Sequence, residues 1–207
     1  MYRRIIKPIL DVTLSLIGLI AFSWLFIIII VAIEIDDPGP VFFTQKRVGK
    51  DKKCFKLYKF RSMKMSTPHD TPTHLLENPE QYITRVGAVI RKFSLDEIPQ
   101  LFNILKQDMS IIGPRPALWN QYDLIAERDK YGANDINPGL TGWAQINGRD
   151  ELEIAEKARL DGEYVKRMSF PFDCKCFFGT VFAVLRADGV VEGGTGELSK
   201  VGREVHK

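Results

Sequence analysis

Cysteine is scarce and badly placed for a structural role: Cys54, Cys174 and Cys176 are the whole complement of the 207-residue chain. An odd number with a lone C-x-C forms neither a zinc quartet nor a disulfide framework, so the thiols read as reduced, as in the cytosol. A large excess of one charge is also lacking, and a net charge of +3 is too small to argue for nucleic acid by itself. No internal repeat occurs, which excludes a repeat array. Apolar residues at 45% and charged residues at 27% exclude wholesale disorder. The length suits one domain with a proper core and is short for two. The most informative lack is local: no charge occurs in the 22 residues from Val12 to Ile33.

As a helix, that stretch makes a rod of about 33 Å, enough to cross a bilayer core. Arg3, Arg4 and Lys7 precede it and place the N-terminus on the cytoplasmic side. A secretory signal would have a shorter apolar stretch and a small-residue cleavage site, whereas Glu34-Ile35-Asp36-Asp37 follows here. The segment therefore reads as a retained membrane element, with a buried helix of a soluble protein as the alternative. Asp36-Asp37-Pro38-Gly39-Pro40 ends it.

Two short strands are expected next, Val41–Gln45 and Phe55–Phe60, joined through Gly49-Lys50-Asp51. From Lys46 to Lys64 nine Lys/Arg face one acid, interleaved with Phe55, Tyr58 and Phe60. That mixture suits single-stranded nucleic acid, a solvated hairpin face, or anionic headgroups and phosphorylated ligands. Following a membrane helix, the last is preferred. Ser66–Gln81 reads as a loop, and its His69 and His74 lack an acid at metal-ligand spacing. Arg85–Lys92 reads as a short helix. In the next segment Ile98, Leu101, Phe102 and Leu105 form one apolar stripe, and Ser94 with Glu97 fits a capping box. Glu151–Met168 is a charge-rich helix. Phe172–Leu185 is apolar and aromatic, suited to the membrane interface or to the core. The Gly-rich tail after Ala187 is expected to be loose.

Asp96 and Glu97 fall at a helix start, where complementing the helix dipole is explanation enough for two acids. Backbone N–H donors there also keep a carboxylate ionised, as a nucleophile requires, and paired carboxylates suit Mg²⁺. Lys59, Arg61, Arg91, Arg115 and Arg149 lie on separate elements, an arrangement that fixes several cations around phosphates. Together with the membrane segment they suggest phosphoryl transfer at a lipid surface.

Four stretches carry a resemblance: Phe55–Met63, Ser94–Asn103, Met109–Pro116 (with Gly113-Pro114-Arg115-Pro116) and Pro138–Arg149 (with Gly142-Trp143-Ala144-Gln145). In this order they resemble the bacterial sugar transferase family, the monotopic phosphoglycosyl transferases that act on polyprenyl phosphate. The likeness covers about residues 1–188 and is closest to the minimal, single-domain members.

The resemblance implies that Asp96 attacks the β-phosphorus of a UDP-sugar, releases UMP and carries the phospho-sugar until polyprenyl phosphate takes it. It further implies that Asp96 and Glu97 hold Mg²⁺, that Lys59, Arg61, Arg91, Arg115 and Arg149 hold phosphate, and that the membrane helix enters and leaves one leaflet. Two positions depart from the family pattern. Ser23-Trp24 stands where Ser-Pro usually breaks the membrane helix, so Ser23 is left to bend it weakly by its own back-bond. Asn137 stands where Arg commonly precedes Pro-Gly.

The expected fold is α+β and predominantly helical, with a short β-hairpin, an N-terminal re-entrant membrane helix and interfacial amphipathic helices. The expected division is 1–37 membrane helix-break-helix, 38–188 catalytic domain at the cytosolic face, and 189–207 tail. The expected location is the cytosolic leaflet of a bacterial inner membrane with both termini cytoplasmic. The expected partners are a UDP-sugar, polyprenyl phosphate and membrane lipids but not nucleic acid, with a homodimer left open. The rival reading is a membrane-tethered scaffold that binds anionic lipid without catalysis. No residue pattern distinguishes which sugar is used.

Overall fold

The computed structural model describes residues 1–67, 79–148 and 152–185. These are mostly helical, with two small two-stranded sheets. His69, His74, Arg149 and the Gly-rich tail lie outside the described residues.

The uncharged N-terminal stretch does not form a straight rod. Helix α1 (Lys7–Ala21) and helix α2 (Ser23–Asp36) meet at Phe22, and the apolar segment bends there by 61°. Phe22 has φ −96° and ψ 8°, and the Ser23 hydroxyl donates to the Ile20 carbonyl at 2.8 Å. Such a back-bond favours bending, but packing on both sides fixes the angle. Before the break, Gly18 lies so close to Leu101 that a Cβ would sit 3.2 Å from its Cδ1. After it, Ile29 and Ile33 pack with Phe60 and Ile90, and the Phe26 ring meets that of Phe60 at 5.1 Å. At the helical rise α2 is about 20 Å long, against about 30 Å of bilayer hydrocarbon, and α1 is continued towards the N-terminus by a π-helical turn, Tyr2–Ile6, that carries Arg3 and Arg4. No single helix among the described residues is long and apolar enough to cross a membrane.

Helix α1 is inside-out for a soluble protein. Its buried positions are Lys7, Asp11 and Ser15, while Ile9, Leu14, Leu16, Ile17 and Ile20 are exposed. The ordinary amphipathic helix does the reverse. Asp11 accepts hydrogen bonds from the Ser110 hydroxyl (2.6 Å) and the Ile111 N–H (3.0 Å). Lys7 donates to Asp173 at 2.8 Å. Lys7 is thus a buried structural cation, and Arg3 donates to the Asp135 carbonyl at 3.2 Å.

Strands β1 (Phe42–Val48) and β2 (Cys54–Phe60) form the expected antiparallel hairpin, with Phe42 opposite Phe60 and Val48 opposite Cys54. Helix α3 (Arg85–Lys92) has the expected bounds, capped by Thr84, whose hydroxyl accepts from the Gly87 N–H at 2.8 Å. Helix α4 is shorter than its apolar stripe suggests, Gln100–Leu105. Its buried face mixes Ile104 with polar Gln100 and Asn103, and Asn103 donates to the Lys56 carbonyl at 2.7 Å and accepts from the Tyr58 N–H at 3.0 Å. The side-chain amide thereby serves as an extra strand for β2. The apolar stripe turns towards the N-terminal helices, with Leu101 on Gly18 and the Phe102 ring 6.0 Å from that of Phe26.

A second sheet is absent from the sequence reading: β3 (Ser110–Ile112) pairs in parallel with β4 (Gly139–Thr141). The two backbones run so close that a Cβ on Gly142 would lie 2.1 Å from the Gly113 carbonyl oxygen. Only glycine fits there. Helices α5 (Tyr122–Asp129), α6 (Trp143–Ile146), α7 (Ile154–Arg167) and α8 (Phe170–Leu185) complete the described chain. Helix α8 has two faces, one of which packs into the core as one of its alternative readings expected. Phe172 and Cys176 join Ile112, Ile136 and Tyr164 in the core, while Phe170, Phe177, Phe178, Val181 and Phe182 are exposed.

Candidate active site

Asp96 and Glu97 sit in a tight 3-10 turn, Leu95–Glu97, between α3 and α4. The expected capping box does not form: Ser94 makes no side-chain cap and adopts the left-handed region at φ 54°. For a residue with a Cβ that conformation costs about 1–3 kcal/mol, and it persists where the surroundings hold it. Its effect is a sharp reversal that turns Arg91, Asp96 and Glu97 towards one cleft.

Asp96 is 4% exposed. Lys59, reaching across from β2, lies 3.6 Å from its Oδ2 and 2.9 Å from Glu97 Oε1. Arg115, held between Pro114 and Pro116, donates to the same Glu97 oxygen at 2.7 Å. The two acids consequently differ. Burial raises the Asp96 carboxyl above the usual carboxylate range; Lys59 opposes this, the Glu97 charge reinforces it, and Arg91 and Arg115 oppose it further. Burial also acts to raise Glu97, but Arg115 and Lys59 outweigh it and hold that carboxyl well below its ordinary range. Burial pulls the Arg91 guanidinium down, against the attraction of Asp96. At Asp96 burial outweighs the cations, so the net effect runs against the expectation that backbone N–H donors at a helix start favour the ionised form.

Arg91, Asp96, Glu97 and Arg115 line a cleft of about 430 Å³, and Lys59 contacts the two acids from outside its lining. Phe22, at the bend of the N-terminal helices, lines it too, with apolar Leu101, Leu140 and Val181. From α5 and α7 come Arg128, Lys157 and Asp161; Arg128 and Asp161 are buried and paired at 2.6 Å. The cleft thus combines an acid flanked by cations with an apolar wall that begins at the helix break.

Of the five cations expected to hold phosphate, the structure gathers Lys59, Arg91 and Arg115 around the two acids. It does not bring Arg61 there. Asp37, at the end of α2, takes the Arg61 guanidinium at 2.6 Å and ties the hairpin to the N-terminal helices. Arg149 is outside the described residues. Asn137 donates to the Gln107 carbonyl at 3.1 Å, closing the turn before β4. Ser23 and Trp24 stand at the bend, with Trp24 exposed. Asn103, Gln145 and the Arg128–Asp161 pair were not singled out by sequence. Gln145 lay within a recognised motif, and nothing in its spacing separates it from its neighbours.

The sequence profile described as Bacterial sugar transferase matches residues 2–187. The chain belongs to the bacterial sugar transferase family. This sugar transferase is 40% identical over 186 residues, 90% of each chain, to the uncharacterized sugar transferase EpsL of Bacillus subtilis (strain 168). It is 34% identical over 197 residues to the exopolysaccharide production protein ExoY of Rhizobium meliloti (strain 1021), covering 88% of this chain and 87% of that one. It is 41% identical over 188 residues to the UDP-glucose:undecaprenyl-phosphate glucose-1-phosphate transferase of Escherichia coli (strain K12). That match takes in 87% of this chain and 40% of the E. coli protein, so this sugar transferase spans less than half of that relative.

Proposed function

We propose that this enzyme moves a sugar-1-phosphate from a UDP-sugar to polyprenyl phosphate through a phospho-sugar carried on Asp96. The observation that supports this best is a nearly buried carboxylate beside three cations, in a cleft whose apolar wall reaches an exposed helix break. In the first step an Asp96 oxygen attacks the β-phosphorus, and the bond from that phosphorus to the bridging oxygen breaks. UMP departs with the electron pair. In the second step a polyprenyl phosphate oxygen attacks the same phosphorus, the aspartyl–phosphorus bond breaks, and the carboxylate is restored. No net proton is required by either displacement. Lys59, Arg91 and Arg115 neutralise the diphosphate and the charge that gathers on the departing phosphate, where positioned cations act most strongly. The name of the E. coli relative, a UDP-glucose:undecaprenyl-phosphate glucose-1-phosphate transferase, is in keeping with this chemistry.

Mg²⁺ fits the donor set. Among the described residues no group of three or more His, Cys, Asp or Glu gathers to enclose a metal. Mg²⁺ commonly takes one or two carboxylates and completes its shell with phosphates and water, which adjacent Asp96 and Glu97 match. Bound there, it would supply further charge neutralisation at the diphosphate.

For the setting, the reading is a re-entrant helix pair in the cytosolic leaflet of a bacterial inner membrane, with both termini cytoplasmic and α8 lying at the interface. It rests on the bend of 61°, on the apolar outer face of α1 and α2, and on the exposed aromatics of α8. Phe22 at the bend lines the cleft, so an acceptor arriving from the lipid would meet Asp96 directly. A panel of UDP-sugars scored for UMP release, with Mg²⁺ and polyprenyl phosphate, tests the activity and names the sugar. A non-catalytic lipid-binding scaffold would release no UMP from any donor and would bind anionic vesicles equally well after Asp96→Asn.

A further inference from the structure

Gln145 lines the same cleft as Asp96 and Arg115. Both polar atoms of its side chain, Oε1 and Nε2, are buried, and neither has a hydrogen-bond partner among the described residues. A buried amide left unsatisfied is costly, and natural proteins keep such groups chiefly where a ligand or water completes them. The backbone here is tightly set: Gly142 packs against Gly113, and a Cβ on Gly142 would also lie 3.1 Å from Gln145 Oε1. Four other polar groups on that side are already committed to one another. Arg128 pairs with Asp161, and Thr141 shares a 2.7 Å hydrogen bond with Thr180.

We propose that the Gln145 carboxamide is a donor-selecting contact, which pairs with an adjacent hydrogen-bond donor and acceptor on the nucleotide sugar. An amide has one accepting and one donating atom side by side, so it matches the same pattern reversed. Two parts of the donor carry that pattern: the imide edge of uracil, and an acylamino group or neighbouring hydroxyls of the sugar. The inference rests on the transferase reading above. A site built to hydrogen-bond a ligand rejects one that leaves its polar atoms unpaired, which makes such a residue a source of selectivity.

The test compares wild type, Gln145→Leu and Gln145→Glu by three measurements: thermal melting without ligand, calorimetric binding of UMP, and KM and kcat for a panel of UDP-sugars. Gln145→Leu is expected to melt at or above the wild-type temperature, because it removes an unpaired buried amide, and to raise donor KM about tenfold or more. Gln145→Glu, which keeps the shape and loses the donor, is expected to raise KM likewise. UMP affinity falling in parallel assigns the contact to uracil. UMP affinity unchanged, with KM losses that differ among sugars, assigns it to the sugar. Wild-type donor KM and UMP affinity in both variants would overturn the inference, whatever their melting temperatures. If wild type itself neither binds UMP nor releases it from any donor, the transferase reading fails and this inference with it.

Discussion

Neutralising either acid of the Asp96–Glu97 pair is expected to change stability in opposite directions. The folded-state pKa of Asp96 lies above its unfolded value, so the carboxyl favours folding while protonated and loses that contribution as pH rises through the folded value. Asp96→Asn at neutral pH should therefore melt at or above the wild-type temperature while activity falls by about 10³-fold or more. The folded-state pKa of Glu97 lies below its unfolded value, so its contribution is present above the unfolded value and is lost as pH falls through the folded one. Glu97→Gln leaves Lys59 and Arg115 facing a neutral group, and chemical denaturation should report a loss of about 1–3 kcal/mol. The same electrostatics set the acid limb of the pH–rate profile. On the proposed mechanism turnover needs ionised Asp96, so the rate should fall as pH drops through an apparent pKa above the usual carboxylate range, and a limb at or below that range would contradict the burial argument.

Between the elements, one amide holds the site together: Asn103 binds the backbone of β2 on both sides of Leu57, and β2 carries Lys59 to the two acids. Asn103→Ala is expected to cost about 1–3 kcal/mol, and a destabilisation of 1 kcal/mol lowers the melting temperature of a chain this size by about 2–4 °C. At this scale the sequence was only partly legible. The hairpin, α3 and the polar break after Asp36 follow from local turn formers, strand-forming residues and hydrophobic period, and the structure has them close to where they were expected. A break near Ser23 was expected from the family resemblance, and the structure bends at Phe22, although no proline marks it. Its angle comes from Gly18 on Leu101 and from Ile29 and Ile33 on Phe60, contacts made far along the chain. Ser94 looked like a helix cap, since its left-handed backbone is imposed by the reversal between α3 and α4 and no neighbouring residue demands it. Arg61 looked like a phosphate ligand because nothing local reveals that Asp37 faces it across the fold. The β3–β4 pair joins separated segments through glycines at their crossing, and three-residue strands leave no period to read. If packing sets the bend, Trp24→Pro should leave activity and melting close to wild type, because the helix is already broken two residues earlier, at Phe22. A large loss would show that an intact turn at Trp24 is needed.

Across the whole molecule, Lys7, Asp11 and Ser15 of α1 point inward, most apolar residues of α1 and Trp24, Ile27, Ile28, Val31 and Ile35 of α2 point outward, and α8 adds exposed aromatics. Water does not favour such a surface, whereas lipid does. Topology has a native reporter, since Cys54 is exposed at the start of β2 while Cys174 is half-buried and Cys176 is buried. In intact cells a membrane-impermeant maleimide should leave the protein unlabelled, and permeabilised cells should show labelling that Cys54→Ser removes. Labelling of Cys54 from outside would place the catalytic face away from its nucleotide donor. The most direct measurement is intact-protein and peptide mass spectrometry after incubation with Mg²⁺ and a UDP-sugar that the enzyme uses, with no lipid acceptor. The account predicts a mass increase of one sugar phosphate on the peptide that contains Asp96, discharged by polyprenyl phosphate and missing in Asp96→Asn. UMP release that requires the acceptor and leaves no adduct, or an adduct on another residue, would contradict it.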